Sequence, residues 1–297
     1  MELSDKKFAV LIDADNISHR KIKDILDEIA NYGTPTIKRI YGDFTDPKFA
    51  AWKSVLLENS ITPIQQYAYT TGKNATDSAL IIDAMDILHK ESVNGFCIVS
   101  SDSDYTRLAS RIRESGREVL GFGEKKTPKP FIKSCDKFIY VEILGQPAPA
   151  PTTAVTPATA PAAKAAAPKK PAKKHQGRNA PETDMPEAAV AEHVAAEKKA
   201  APAPDTAQPQ PIIRPIDEDF KTLLANTIED AADDSGWAFL GIVGGVLTKK
   251  MPDFDPRNYG YKKLSLLVKS LSKIVEIEER PSENKELKLV YVRNRIR

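Results

Sequence analysis

Six short apolar runs punctuate the first 145 residues: Phe8–Asp13, Thr36–Tyr41, Ile61–Tyr67, Phe96–Ser100, Glu118–Phe122 and Lys137–Ile143. They are too short for helices. The most apolar of them, at Phe8 and Phe96, have the continuous pattern of strands buried on both faces. Helical patterns fall between them, near residues 19–31, 47–59, 77–90 and 104–115. In the third, Leu80, Ile81, Ala84, Ile87 and Leu88 recur with the period of an amphipathic helix. Strand–helix alternation of this kind predicts an α/β fold: a doubly wound, mostly parallel sheet with helices on both faces.

The pattern stops at Gln146. From there to about Pro215 the chain is Ala, Pro and Lys, as in "PAPAPTTAVTPATAPAAKAAAPKKPAKK". Such a stretch has too little apolar area to offset the entropy of ordering, and its prolines favour an extended spacer. Apolar periodicity resumes at Phe220, Leu223, Leu224, Thr227 and Ile228, which mark one helix. Phe239–Lys250 and Tyr261–Lys273 mark two more. Strand-like runs at Ile274–Glu279 and Leu287–Arg293 follow, joined by the turn-rich "RPSENKE". Three helices and a hairpin predict a small winged-helix-like domain. The chain thus divides into residues 1–145, a disordered linker at 146–215, and residues 216–297.

Composition sharpens this picture in three places. At 297 residues, 41% hydrophobic and 28% charged, the chain can bury two cores. The net charge of +2 conceals an uneven distribution: Leu247–Arg297 holds 13 basic and 7 acidic residues, which suits a polyanionic partner. The two cysteines, Cys97 and Cys135, form no CxxC pair, so neither zinc nor a disulfide framework is indicated, and Cys97 reads as core. The run Phe8–Ile12 is too short for a signal peptide and is ended by Asp13. No stretch is apolar enough to span a bilayer, which makes the cytoplasm the expected location and excludes a membrane partner.

In parallel α/β sheets, ligands gather at the carboxyl ends of the strands. Three acidic features should meet there. "LIDADN" ends the first strand with Asp13, followed by Asp15 and Asn16. Asp77 opens a helix after the loop "TTGKNAT". "IVSSDSDY" sets Asp102 and Asp104 just past another buried strand. Crowded carboxylates repel one another, and burial adds to the cost. A hard divalent cation, Mg²⁺ or Mn²⁺, relieves both and recruits phosphate oxygens. Such a site would polarise a phosphodiester and activate a water. Asn16 would orient that water or hold the scissile phosphate. Each feature also has a plain reading: Asp77 and Asp102 as helix caps, Asp13–Asn16 as turn chemistry. Their convergence at one sheet edge favours the metal. Asp83 and Asp86 lie further along the helix and read as solvated or supporting groups.

In the C-terminal part, Tyr261–Lys273 is the expected recognition helix. Leu264, Leu267, Val268 and Leu271 form its apolar seat. Lys262, Lys263 and Lys269, with Lys273, lie outside that seat and are the candidate phosphate contacts.

Residues 8–143 resemble the NYN domain, a branch of the PIN-like nucleases. The resemblance rests on "VLIDADNIS", "GKNATDSALIIDAMDIL" and "FCIVSSDSDYTRLASRIRESGREVLGFG", in matching order and spacing. It implies a metal-dependent ribonuclease in which Asp13, Asp77 and Asp102 are metal-binding acids, Asp104 a further acid, and Asn16 their polar partner. The usual wording of the last block is closer to "SGDGDF"; here Ser101 and Ser103 replace the glycines and Tyr105 the phenylalanine. Residues 216–293, through "FDPRNYGYKKLSLLVKSL", "VEIEER" and "LVYVR", resemble the OST-HTH (LOTUS) domain. That resemblance implies binding of RNA or docking of a partner protein.

The expectation is therefore a Mg²⁺- or Mn²⁺-dependent endoribonuclease, with a C-terminal module that holds RNA or a partner protein near the cutting site. A non-catalytic RNA-binding adaptor is the alternative. A haloacid-dehalogenase-like phosphatase is weaker, because "DADNI" mimics DxDx[TV] but carries Ile17 in place of Thr or Val. No GxGxxG follows the first strand, which disfavours dinucleotide binding.

Overall fold

The run that is most apolar in the sequence lies at the middle of the sheet. In the computed structural model, which describes residues 6–67, 75–90, 92–145, 214–281 and 288–295, β1 (Lys7–Asp13) has Phe8 to Asp13 fully buried. Around it come α1 (Ile22–Ile29), β2 (Thr34–Gly42), α2 (Trp52–Asn59), β3 (Thr62–Gln65), α3 (Ala75–Lys90), β4 (Gly95–Val99), α4 (Thr106–Glu114), β5 (Glu118–Gly123), α5 (Lys129–Ser134) and β6 (Lys137–Tyr140). The strand order is β3-β2-β1-β4-β5-β6, and every pairing is parallel. The predicted α/β fold is present.

This order has a consequence for function. The chain runs outward from β1 to β2 and β3, then returns through α3 to β4 on the other side of β1. Ile12 sits beside both Ile40 and Val99. A crevice must open at the carboxyl ends of β1 and β4, where successive connections leave in opposite directions. Asp13 and the segment after Val99 border it.

The differences from the sequence reading are local. Helix α5 was not predicted: "KPFIKS" is six residues with a proline, too short to show a period. Pro130 is tolerated in the first turn, where the missing N–H has no helical partner. The last predicted strand stops at Tyr140, and residues 141–143 form a 3₁₀ turn.

The C-terminal part contains α6 (Glu218–Asp230), β7 (Ala238–Phe239), α7 (Leu240–Lys250), α8 (Leu264–Ser270), β8 (Val275–Pro281) and β9 (Lys288–Asn294). Its antiparallel sheet has the order β7-β9-β8. Three helices and a small sheet give the winged-helix-like arrangement, with its own core of Phe220, Leu224, Val243, Leu247, Val268 and Val292. Helix α8 is shorter than the predicted Tyr261–Lys273. Residues 256–259 form a 3₁₀ turn that Gly260 ends at φ 83°, a conformation glycine adopts without strain. The extended Lys263 then caps α8. Lys262 and Lys263 consequently precede the helix.

The described residues before 146 and those after 213 belong to one compact unit. The Phe138 amide on edge strand β6 donates to the Pro252 carbonyl at 2.9 Å. Arg257 reaches both Glu28 oxygens, at 3.0 and 2.8 Å. Tyr140 donates to Asp253 at 2.8 Å, and Arg214 donates to the same carboxylate at 2.7 Å. Two folded parts that the sequence pattern separates are thus in specific contact. The predicted linker lies outside the described residues apart from Arg214 and Pro215, as do residues 70–74 of the "TTGKNAT" loop and residues 282–287 of the hairpin turn.

Candidate metal centre

Asp13 ends β1 with its side chain fully buried. Its Oδ1 accepts the Asp15 amide at 3.0 Å, and its Oδ2 accepts Asn16 Nδ2 at 2.6 Å and Ser100 Oγ at 2.9 Å. The turn chemistry expected of "DADN" is therefore realised. Loss of hydration is the largest influence on this carboxyl and pushes its pKa up to about 6; the Asn16 and Ser100 bonds pull the other way, and Asp77 adds repulsion.

The carboxylates that converge are Asp77, Asp102 and Asp104, each offering an oxygen within 4.8 Å of the others. Asp77 sits in the first turn of α3, where the helix dipole favours an anion. Asp102 follows β4 and caps the 3₁₀ turn Ser103–Tyr105 by accepting the Asp104 amide at 3.0 Å. Its own amide donates to Ser100 Oγ at 3.0 Å, so Ser100 links the Asp102 loop to Asp13. Burial raises the Asp77 pKa, with repulsion from Asp102, Asp104 and Asp15 adding to it, while a hydrogen bond from Tyr105 lowers it. Mutual repulsion among close oxygens is the condition a hard cation relieves, and the all-oxygen donor set suits Mg²⁺ or Mn²⁺.

Asp13 joins this group indirectly. The Tyr105 hydroxyl donates to Asp77 Oδ1 at 2.7 Å and lies 3.3 Å from Asp13 Oδ2. Asp13 is not among the three carboxylates whose oxygens converge. A carboxylate so enclosed is also poorly placed to attack a phosphate ester, as aspartyl-phosphate chemistry would require. Asn16 is half-buried, and its side-chain amide donates one N–H to Asp13. Asp15 is exposed and pairs with Lys48 at 2.9 Å. Asp83 pairs with Arg39 and Tyr41 on β2, a structural role.

Sequence reasoning gave no role to Ser100, Ser101 or Tyr105. Ser101 Oγ accepts the Glu124 amide at 2.9 Å, which ties the Asp102 loop to the loop after β5. The signal was present: these hydroxyls occur in and beside the block where the usual wording has glycine and phenylalanine. In the C-terminal part Lys262 and Lys263 are exposed, whereas Lys269 is paired with Glu279 at 2.9 Å.

Comparison with known proteins assigns both folded parts to families. The NYN domain matches residues 7–142, and the OST-HTH/LOTUS domain matches residues 211–287. The chain is an NYN-domain protein with a C-terminal OST-HTH/LOTUS domain. A PIN-like nuclease domain joined to an RNA-binding module gives it a nuclease-like, RNA-associated function. No curated protein matches the chain. Among solved structures, the solution NMR structure of an uncharacterized protein from Nitrosomonas europaea is 35% identical, covering 35% of this chain and 94% of that one, with a TM-score of 0.26. The crystal structure of a protein of unknown function from Vibrio parahaemolyticus is 20% identical, covering 47% and 96% respectively, with a TM-score of 0.39. Among the described residues, no helix is long and apolar enough to cross a membrane.

Proposed function

We propose that the chain is a divalent-metal-dependent endoribonuclease, acting in the cytoplasm, with residues 1–145 as the cutting domain, 146–215 as linker and 216–297 as the RNA-holding domain. The convergence of Asp77, Asp102 and Asp104 oxygens within 4.8 Å carries this reading. Mg²⁺ or Mn²⁺ held by these three carboxylates would polarise a phosphodiester and lower the pKa of an attacking water. The remaining work falls to the chain. Asp13 is a positioning residue: from its buried place it fixes Asn16, Ser100 and Tyr105. Tyr105 holds Asp77 in the orientation that faces Asp102. Asn16, half-buried at the rim, is placed to donate to a phosphate oxygen. Lys262 and Lys263 are the C-terminal RNA contacts, and Lys269 joins them on releasing Glu279.

The test is cleavage of end-labelled single-stranded and structured RNA in Mg²⁺, in Mn²⁺ and in EDTA, comparing the wild type with Asp77→Asn/Asp102→Asn. Metal-dependent internal cuts that vanish in the double variant are expected. Cuts that persist in the variant, or in EDTA, overturn the reading. RNA binding without any cleavage by the wild type leaves an RNA-binding adaptor.

A further inference from the structure

Two adjoining clefts, of about 610 and 970 Å³, run between the NYN domain and the C-terminal domain and share Lys133 and Pro252 in their walls. We propose that they form one trough that binds the phosphates of single-stranded RNA and leads the strand to the acid cluster; the destination, though not the binding, rests on the nuclease reading.

Lys125, Lys129 and Lys133 line one side at four-residue intervals. Lys129 and Lys133 are one turn apart on α5, so they lie on the same face of the helix. Lys249, at the end of α7, lines the trough from the opposite domain. All four are exposed, and none has a side-chain hydrogen bond or ion pair among the described residues. Of the acids along the trough, Asp136 is held by Arg113 at 2.9 Å and Glu118 by Lys6 at 2.7 Å. Glu114, Asp217 and Asp219 are the lining acids without such a partner among the described residues, and Asp217 accepts the Phe220 amide at the start of α6. Lysines left unneutralised in a file are point charges suited to successive phosphates. A trough bounded by protein on two sides suits one strand, because a duplex presents two backbones and needs an open face.

The file begins beside the acids. Glu124, next to Lys125, donates its amide to Ser101 Oγ at 2.9 Å, and Ser101 precedes Asp102. The walls are fixed by Arg257 on Glu28 and by Asp253, which receives Tyr140 and Arg214.

Two measurements on the full chain test this. The first is anisotropy of a labelled oligouridine in EDTA across a salt series, comparing wild type, Lys125→Gln/Lys129→Gln/Lys133→Gln, and a control with Arg20→Gln/Lys23→Gln/Lys53→Gln on the exposed surface of the same domain. The trough variant should lose about tenfold in affinity, and its log–log salt slope should fall by about two, for three lost phosphate contacts on a single strand. The control should stay near wild type. Unchanged binding by the trough variant, an equal loss in the control, or an equal loss on duplex RNA overturns the trough. The second is cleavage in Mn²⁺ of a long RNA and of a trinucleotide too short to enter the trough. Only the long substrate should suffer in the trough variant, and an equal loss on the trinucleotide also overturns the proposal. If no RNA is cut by the wild type, the nuclease reading fails while the binding result still judges the trough.

Discussion

The Tyr105 hydroxyl stands between two carboxylates, donating to Asp77 Oδ1 at 2.7 Å and lying 3.3 Å from Asp13 Oδ2. Tyr105 is itself fully buried, and burial together with these two acids raises its pKa, so it remains a donor throughout the working pH range. One hydroxyl therefore sets how far Asp77 stands from the β1 terminus. Tyr105→Phe restores the residue usual in this block and should fold, at a cost of about 1.5–3 kcal/mol for the lost bond to a charged acceptor. Removing a donor to the carboxylate favours its neutral form, so the Asp77 pKa rises. Protons then compete better with the cation. Mn²⁺-induced thermal stabilisation should weaken near pH 6 and approach wild type near pH 8. Superimposable pH curves would show that Tyr105 plays no part in holding Asp77.

Asp13 gives a pH dependence of opposite character. Its carboxyl is raised to about 6 in the folded chain from an ordinary 3.8. The folded state thus binds the proton more tightly than the unfolded state does. The stability this confers is complete below pH 3.8 and is lost as pH climbs to about 6, amounting to ~3 kcal/mol at most. In EDTA, the difference in unfolding free energy between wild type and Asp13→Asn should change across that window and flatten above it. Asp13→Asn also sets an amide among groups that donate to the carboxylate, so it should be less stable than wild type at low pH. A difference that is flat from pH 4 to 7 would mean that Asp13 is not the titrating group.

Much of this site was legible in the sequence because it follows from strand ends. Asp13 and Asp102 are placed by β1 and β4, whose apolar runs are unambiguous, and the strand order sets both beside one crevice. Asp77 required only that α3 begin near it. The sequence could not distinguish a carboxylate that faces the crevice from one sealed behind it. That depends on side-chain partners contributed by Ser100 and Tyr105, which lie 87 and 92 residues from Asp13. The short α5 was hidden for a different reason: six residues hold less than two turns, so no period can emerge. The docking of the C-terminal domain rests on single polar side chains such as Arg257 and Asp253, which read as ordinary surface charge.

The three converging carboxylates should respond to a cation as a unit. Mn²⁺ at a hundredfold excess over its Kd should stabilise the wild type by about 2.7 kcal/mol, read as a rise in Tm. Asp102→Asn or Asp104→Asn should abolish most of that rise. Each should also raise the Tm in EDTA slightly, since repulsion on Asp77 is relieved. A metal-induced rise that survives both substitutions would place the ion elsewhere.

Arg257 holds the two domains through a contact that tolerates little change. Its guanidinium engages Glu28 and Asp255 together, with both acids largely shielded from water. These two carboxylates keep Arg257 charged against the cost of its own burial. Arg257→Ala would leave two shielded carboxylates facing each other across the seam, a loss of about 3 kcal/mol. Glu28→Gln keeps the shape and removes one charge, so it should cost less. Because Glu28 belongs to the NYN domain and Asp255 to the C-terminal domain, the loss should fall on docking rather than on either core. Calorimetry of Arg257→Ala should show the first transition separating from the second, and limited proteolysis should cut faster between the domains. A single transition lowered as a whole would show instead that Arg257 supports the C-terminal core. Unchanged unfolding would show that the seam is held without it.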